Sequence, residues 1–409
     1  LPRCIVCDHR MKIADGTLTE QELQAAYLAR HDLGPGYPQL DVPPYVRRLY
    51  LDSTAEDLSL KFAPTWSPEK QAQVDADLEV ALRRFLMIPE GPRIQIRSTF
   101  SGSIALDRAL ATAQLLARQR GKKKIAVITT TPCIDIMKLF LLERADVKPA
   151  FVASNKNGAL GVLDAEAVLQ KLAQVRAKDE REHIVVLVCS PENPTGSIWS
   201  EQDLMHIARE CAAADATLIV DHCFAVAGVH HPKDVAAVWS AASELCDWIG
   251  IWDTGKTFGL NEDKLGFLIS GDAETSRAID AALAVVQFGV ARRAKIFFSE
   301  LFRLATYYDH VRELNELCAN NLETLERLVG PSFDLFPTKA GSLALIDVSR
   351  TGEADEAIRK RLLSNGVGTV AGSIFFHSSW KPEHYIRLAL ARRADYFEEA
   401  VMQMMQVLS

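Results

Sequence analysis

Between Ile94 and Gly271 short apolar runs alternate with segments of helical periodicity, and that alternation leaves few folds open. Residues 94–100, 125–130, 148–153, 183–189, 217–221, 248–253 and 265–270 read as strands. Residues 103–118, 134–143, 164–177 and 201–214 read as helices, with apolar marks such as Ile104, Leu106 and Leu110 at helical spacing. A run such as Ile184-Val185-Val186-Leu187-Val188 has no polar alternate. It suits a parallel strand buried on both faces. The expectation is an α/β fold with a mostly parallel seven-stranded sheet in a large domain. Beyond Asp272 the pattern is helical to about Val329. Strands at 333–336, 343–348 and 385–390 and a helix at 354–364 then suggest a smaller α+β domain. Near the start, a helix at 20–30 precedes the loop Gly34-Pro35-Gly36-Tyr37-Pro38. The expected division is an N-terminal arm, 1–55, joined to a small domain at 311–409, with the large domain at 56–310.

Composition removes several function classes. At 409 residues and 48% hydrophobic, the chain can bury a large core without staples. A net charge of −7 gives no broad attraction to nucleic acid. Lys122-Lys123-Lys124 reads as a solvated turn before a strand. Cys4 and Cys7, with His9, lack a second ligand pair and a preceding strand, so neither a zinc ribbon nor a redox pair is expected. His230 and His231 lack partners at metal spacing, so no metal is expected. No apolar stretch reaches the roughly 20 residues of a membrane span, and no basic-then-apolar leader occurs. The expectation is a cytoplasmic protein without membrane or nucleic-acid partners.

Four motifs carry chemistry. Ser190-Pro191-Glu192-Asn193-Pro194-Thr195-Gly196 follows a buried strand, and alone it would be a turn. Asp221 ends the strand at 217–221, where a side chain faces the crevice that binds ligands in such sheets. Alone it could cap a helix. Lys256 lies in Asp253-Thr254-Gly255-Lys256-Thr257-Phe258-Gly259 after another strand, and alone it could be a surface lysine. Arg387 sits inside the apolar strand Tyr385-Ile386-Arg387-Leu388-Ala389-Leu390, where a guanidinium needs an anionic partner.

In the order Asn193, Asp221, Lys256, Arg387, these motifs resemble the pyridoxal-phosphate (PLP) dependent aminotransferase class I/II superfamily, of fold type I. Ser101-Gly102-Ser103, Lys264-Leu265-Gly266 and Ala371-Gly372-Ser373-Ile374-Phe375 extend the resemblance across about residues 55–400. It implies that Lys256 holds pyridoxal 5'-phosphate as a Schiff base and that Asp221 pairs with the pyridine nitrogen. Asn193 would donate to the phenolic oxygen. Ser101, Gly102, Ser103 and Lys264 would hold the phosphate, and Arg387 the carboxylate of an α-amino acid. It also implies a homodimer with the active site at the interface. A helix N-terminus with unpaired N–H groups suits a phosphate, a desolvated amine makes a nucleophile, and a two-pronged guanidinium suits a carboxylate.

The sequence departs from that pattern at four places. Phe224 stands where the family commonly has a tyrosine that donates to the phenolic oxygen. Thr130-Thr131-Pro132-Cys133-Ile134-Asp135 lacks the aromatic ring usually stacked on the cofactor. Asp253 stands where a serine or threonine often helps hold phosphate, and an anion there is expected to face elsewhere. Lys264 replaces an arginine. An aminotransferase is the leading expectation. The alternative is a specialised lyase, cyclase or γ-replacement enzyme acting through the same quinonoid on an activated amino acid, such as an S-adenosylmethionine-like or modified-arginine substrate. An inactive regulator would carry an N-terminal helix-turn-helix, for which residues 1–55 are too short and Gly/Pro-rich. Tyr37 is a candidate for the substrate pocket or a plain loop aromatic. Phe62 falls where the family has a tyrosine reaching the neighbour's phosphate. Arg292, Arg293 and Lys295 suit either a partner-subunit contact or a solvated helix face. His222 could assist proton transfer or be structural.

Overall fold

In the computed structural model, residues 30–34, 43–49, 68–89, 93–142, 144–156, 159–160, 163–178, 182–226, 239, 246–260, 263–287, 289–336, 342–377 and 382–409 are described. The helix expected at 20–30, Tyr37, Phe62, the Cys4–Cys7 pair and His230–His231 lie outside them, apart from Arg30.

The elements that matter for the site run, in order, α1 (Pro68–Leu86), β1 (Gln95–Thr99), α2 (Gly102–Gln119), β2 (Lys124–Thr131), α3 (Met137–Leu142), β3 (Val147–Ala153), α4 (Ala165–Lys178) and β4 (Glu182–Cys189). There follow α5 (Glu201–Ala213), β5 (Thr217–Asp221), β6 (Trp248–Asp253), α6 (Gly255–Phe258), β7 (Gly266–Ser270), α7 (Ala273–Ala284), α8 (Arg292–Tyr307) and α9 (His310–Val329). The C-terminal part holds β8 (Asp334–Leu335), β9 (Leu343–Asp347), α10 (Asp355–Ser364), β10 (Val370–Ala371), β11 (Tyr385–Ala389) and α11 (Ala394–Leu408).

Seven strands form the expected sheet, in the order β1-β7-β6-β5-β4-β2-β3. The run from β6 to β3 is parallel, while β7 is antiparallel to both β6 and β1. Central strands β4, β5, β6 and β7 are almost wholly buried, and the edge strands β1 and β3 only partly. That is why β4 to β7 read as unbroken apolar runs. Successive side chains go to opposite faces. Val185 and Leu187 join Ala105, Ala109, Leu110 and Ala113 of α2 on one side. Val186 and Val188 join the core under α1, α4, α5 and α8 on the other, where Phe85, Trp252, Phe298 and Phe302 meet. The alanines let α2 lie close to the sheet, which brings its N-terminus to the strand ends.

A second, antiparallel sheet has the order β8-β9-β11-β10. Its core combines Ile346, Ile386 and Leu388 with Leu314 and Leu325 of α9 and Phe397 and Val401 of α11. His31–Asp32 pairs in parallel with Val367–Gly368, and Leu33 is fully buried in the same core. The helix expected at 134–143 shortens to Met137–Leu142, because the Cys133 N–H donates to the Phe375 carbonyl (3.0 Å) and holds the preceding residues in a turn. Among the described residues no helix is long and apolar enough to cross a membrane.

Candidate active site

The C-terminal ends of β4, β5 and β6 lie side by side, with Cys189 opposite Asp221 and Asp221 opposite Ile251. Three of the four sequence motifs leave the sheet at these ends, so strand pairing alone gathers Asn193, Asp221 and Lys256. Asp221 is 7% exposed, and its Oδ1 accepts the Cys223 N–H at 2.9 Å. Burial pushes its pKa up, as does the charge of Asp253, while the Cys223 hydrogen bonds and the charge of Lys256 pull it down; the net direction is upward.

Lys256 is the second residue of α6, a single turn that Gly259 ends at a φ of 68°, the left-handed region glycine tolerates. The turn is held from two sides. Thr254 exchanges hydrogen bonds with Leu265, its N–H donating to the carbonyl (2.9 Å) and its Oγ1 accepting the N–H (3.0 Å). His310 of α9 lies 2.9 Å from the Thr257 carbonyl through Nε2. The Lys256 Nζ lies 5.5 Å from the centroid of the Phe224 ring. The position where the family commonly has a phenol therefore presents an apolar face to the amine. Phe224 in turn packs on Leu343 and Ala389 of the second sheet.

Ala389 shares a face of β11 with Arg387, so the same packing aims Arg387 at this region. Arg387 is 3% exposed. Its Nη1 donates to Asn193 Oδ1 at 2.9 Å, its Nη2 donates to the Gly34 carbonyl, and its guanidinium carbon lies 4.9 Å over the Phe375 ring. Asn193, Asp221, Lys256, Phe224 and Arg387 thus converge from two sheets.

At the other end of the site Ser101 caps α2, its Oγ accepting the Ile104 N–H at 3.2 Å. Asp253 does not face elsewhere. Its Oδ2 accepts the Gly102 N–H (3.3 Å) and its Oδ1 the Gly255 N–H (3.1 Å), with the residue 5% exposed. Only a glycine fits at 102, since a Cβ there would lie 2.6 Å from Asp253 Oδ2 and 2.9 Å from Cys223 Sγ. Gly266 is just as constrained, its Cβ position lying 2.3 Å from the Ser101 carbonyl. Ser103 and Lys264 are half-buried beside this junction, Lys264 immediately ahead of β7.

Other candidates resolve differently. His222 is buried behind the site: its Nδ1 meets the Ser190 carbonyl at 2.9 Å, its ring packs edge-on against Trp239, and burial lowers its pKa to about 4. Lys295 and Arg292 serve the chain's own α1, through Asp75 (2.5 Å) and Gln71 (3.1 Å) respectively. Arg293 is exposed on the same helix.

The sequence reading assigned no role to Glu192. Glu192 is fully buried and receives hydroxyls from Thr130 (3.0 Å), Ser154 (2.9 Å) and Thr195 (2.7 Å), tying the ends of β2 and β3 to the Asn193 turn. Burial raises its pKa to about 7 against the pull of those three hydrogen bonds. A glutamate three residues past the end of a buried strand was a usable signal, because it must find partners if buried. Cys223, whose apolar stretch reads as that of a reduced core or site cysteine, lies beside Asp221, and Phe375, the last residue of the motif at 371–375, lies under Arg387.

A pyridoxal ring requires a desolvated carboxylate and an amine reaching it from separate strand ends, and Asp221 and Lys256 meet that requirement. Arg387 is a guanidinium held in place beside them, by Asn193 and the Gly34 carbonyl. The α2 N-terminus offers N–H donors for phosphate but already holds a carboxylate. The donor set therefore fits the cofactor at its ring and departs at its phosphate. Among the described residues no cluster of His, Cys, Asp or Glu could hold a metal.

A model of the aminotransferase class I and II family matches residues 140–402. The putative aminotransferase YugH of Bacillus subtilis is 24% identical over 231 residues, 54% of this chain and 56% of that protein. The chain spans about half the length of the curated relatives it matches. Bna3p, a putative kynurenine aminotransferase from Saccharomyces cerevisiae, superposes with a TM-score of 0.77 at 14% identity, over 97% of each chain. MppP, in a structure soaked with the product 2-ketoarginine, superposes with a TM-score of 0.73 at 19% identity, over 92% of this chain and 99% of that one. Those two likenesses concern the fold; with the family match covering well over half the residues and taking in Asn193, Asp221, Lys256 and Arg387, the chain belongs to the aminotransferase class I and II family, whose members use pyridoxal phosphate.

Proposed function

We propose that the protein is an aminotransferase that moves the amino group of an α-amino acid to a 2-oxo acid, with Lys256 as the cofactor-holding residue. The convergence of Asp221 and Lys256 from neighbouring strand ends, facing Arg387 from the second sheet, carries this reading. When bound, pyridoxal phosphate supplies a carbonyl that takes up the amino group and a ring that withdraws electrons from the substrate Cα. The Asp221 carboxylate, fixed by the Cys223 N–H, holds a proton at the pyridine nitrogen. Lys256 Nζ, over the apolar face of Phe224, moves the Cα proton. Arg387 binds the substrate carboxylate and so sets which bond at Cα lies across the ring. Asn193 keeps one guanidinium prong in place and Phe375 its plane. The working unit in this reading is a cytoplasmic homodimer with the site at the interface.

Phe224 favours a second reading, a lyase, cyclase or replacement enzyme on an activated or modified amino acid. Without a phenol at that position no hydroxyl would donate from residue 224 to the cofactor's phenolic oxygen, and the ring's electronic balance would differ from that of an ordinary transaminase. Incubation of the cofactor-loaded protein with single amino acids and 2-oxoglutarate distinguishes the two. The first reading predicts one new glutamate for each 2-oxo acid formed. Substrate consumption without glutamate, or with release of ammonia or a leaving group, replaces it with the second.

A further inference from the structure

We propose that Asp253 is a built-in competitor for the cofactor's phosphate, so that this protein holds its cofactor mainly through the ring and Lys256 and only weakly through the phosphate. This rests on the functional reading above, in which the α2 N-terminus receives the phosphate. The Gly102 N–H, the first of α2, points at Asp253 Oδ2. The Ser101 hydroxyl already caps Ile104. The first turn of α2 contains no acidic residue of its own, so the anion at this dipole comes from β6.

Position fixes the carboxylate there. Asp253 ends β6 opposite Gly266, and its second oxygen is tied to the Gly255 N–H. Gly102 has no Cβ to push it away. A phosphate arriving at the same N–H groups meets a like charge in a buried place, where screening is weak. Lys264 is the nearby cation named by the sequence pattern, and it offers a point charge in place of an arginine fork. The consequence is a small difference in affinity between pyridoxal 5'-phosphate and pyridoxal, and ready exchange of the phosphorylated cofactor with solution.

The test compares the affinities of pyridoxal 5'-phosphate and pyridoxal for cofactor-free wild type, Asp253→Asn and Asp253→Ser, by absorbance titration. Borohydride reduction followed by peptide mapping reports attachment to Lys256. Removing one charge beside the phosphate should tighten pyridoxal 5'-phosphate by about tenfold while pyridoxal changes by less than about twofold. An unchanged or lowered affinity ratio in both variants overturns the proposal. Wild type alone gives an independent measure if the variants do not fold. A preference for the phosphorylated cofactor of under about a hundredfold supports the proposal, and a larger one overturns it. If neither compound labels Lys256, the functional reading itself fails; if both do and the ratio is insensitive to residue 253, only the role of Asp253 fails.

Discussion

Two aspartates close neighbouring strands of one sheet, and the site treats them in opposite ways. Asp221 ends β5 with one oxygen on its own loop's N–H and the charge of Lys256 within reach. Asp253 ends β6 with both oxygens on backbone N–H groups, one of them at the start of α2. Both are buried. A strand end therefore determines where a carboxylate sits, while the loop opposite determines what it does. In the proposed reading, the Asp221 carboxylate would pair with the protonated cofactor ring, and Asp253 would stand where the cofactor brings an anion of its own.

The strongest way to break this contrast is Asp221→Asn. It keeps shape but removes the charge proposed to pair with the ring, so kcat/KM for amino transfer should fall by roughly a thousandfold. A loss under about tenfold would leave the two aspartates equivalent. Next comes Arg387→Lys, which loses the fork and the stacking on Phe375. kcat/KM should drop about a hundredfold, mostly through KM, in steady-state kinetics. An effect confined to kcat would move Arg387 out of substrate binding.

Glu192 sharpens the comparison as a third buried carboxyl, satisfied by hydroxyls and not by a cation. Its folded pKa of about 7 lies above the ordinary 4.5, so the folded chain binds the extra proton between those values. The stability this confers is fully present below about pH 4.5 and is lost as pH rises through 7, on the order of 3 kcal/mol. Urea midpoints of wild type and Glu192→Gln, compared from pH 4.5 to 8, should diverge by that dependence; parallel curves would contradict it. The smallest effect concerns Gly102→Ala, whose Cβ meets Asp253 Oδ2 and Cys223 Sγ. It should cost about 1–3 kcal/mol in wild type and less in Asp253→Ser. Equal costs in both backgrounds would mean that Asp253 does not crowd the start of α2.

Much of this was legible in the sequence because the governing signals are local. The apolar runs of β2 and β4 to β7 follow from burial on both faces, and Asp221 and Lys256 fall where strands end. What was not legible depends on partners distant in the chain. The insertion of β7 between β1 and β6 is a choice of neighbours that periodicity does not encode. The direction of Asp253 is set by Gly102, about 150 residues away in sequence, as a buried carboxylate seeks N–H donors. The hold of Asn193 on Arg387 spans a still longer separation. Lys295 read as a solvent or partner residue until α1 supplied Asp75. Local pattern located the candidate residues, and tertiary pairing supplied their partners.

The central claim is that Lys256 carries the cofactor. Borohydride reduction of the protein loaded with pyridoxal 5'-phosphate, followed by mass mapping of its peptides, tests it directly. A phosphopyridoxyl group on the peptide containing Lys256, absent from Lys256→Ala, is the predicted result. The same modification on another lysine, or none on the loaded wild-type chain, would contradict it.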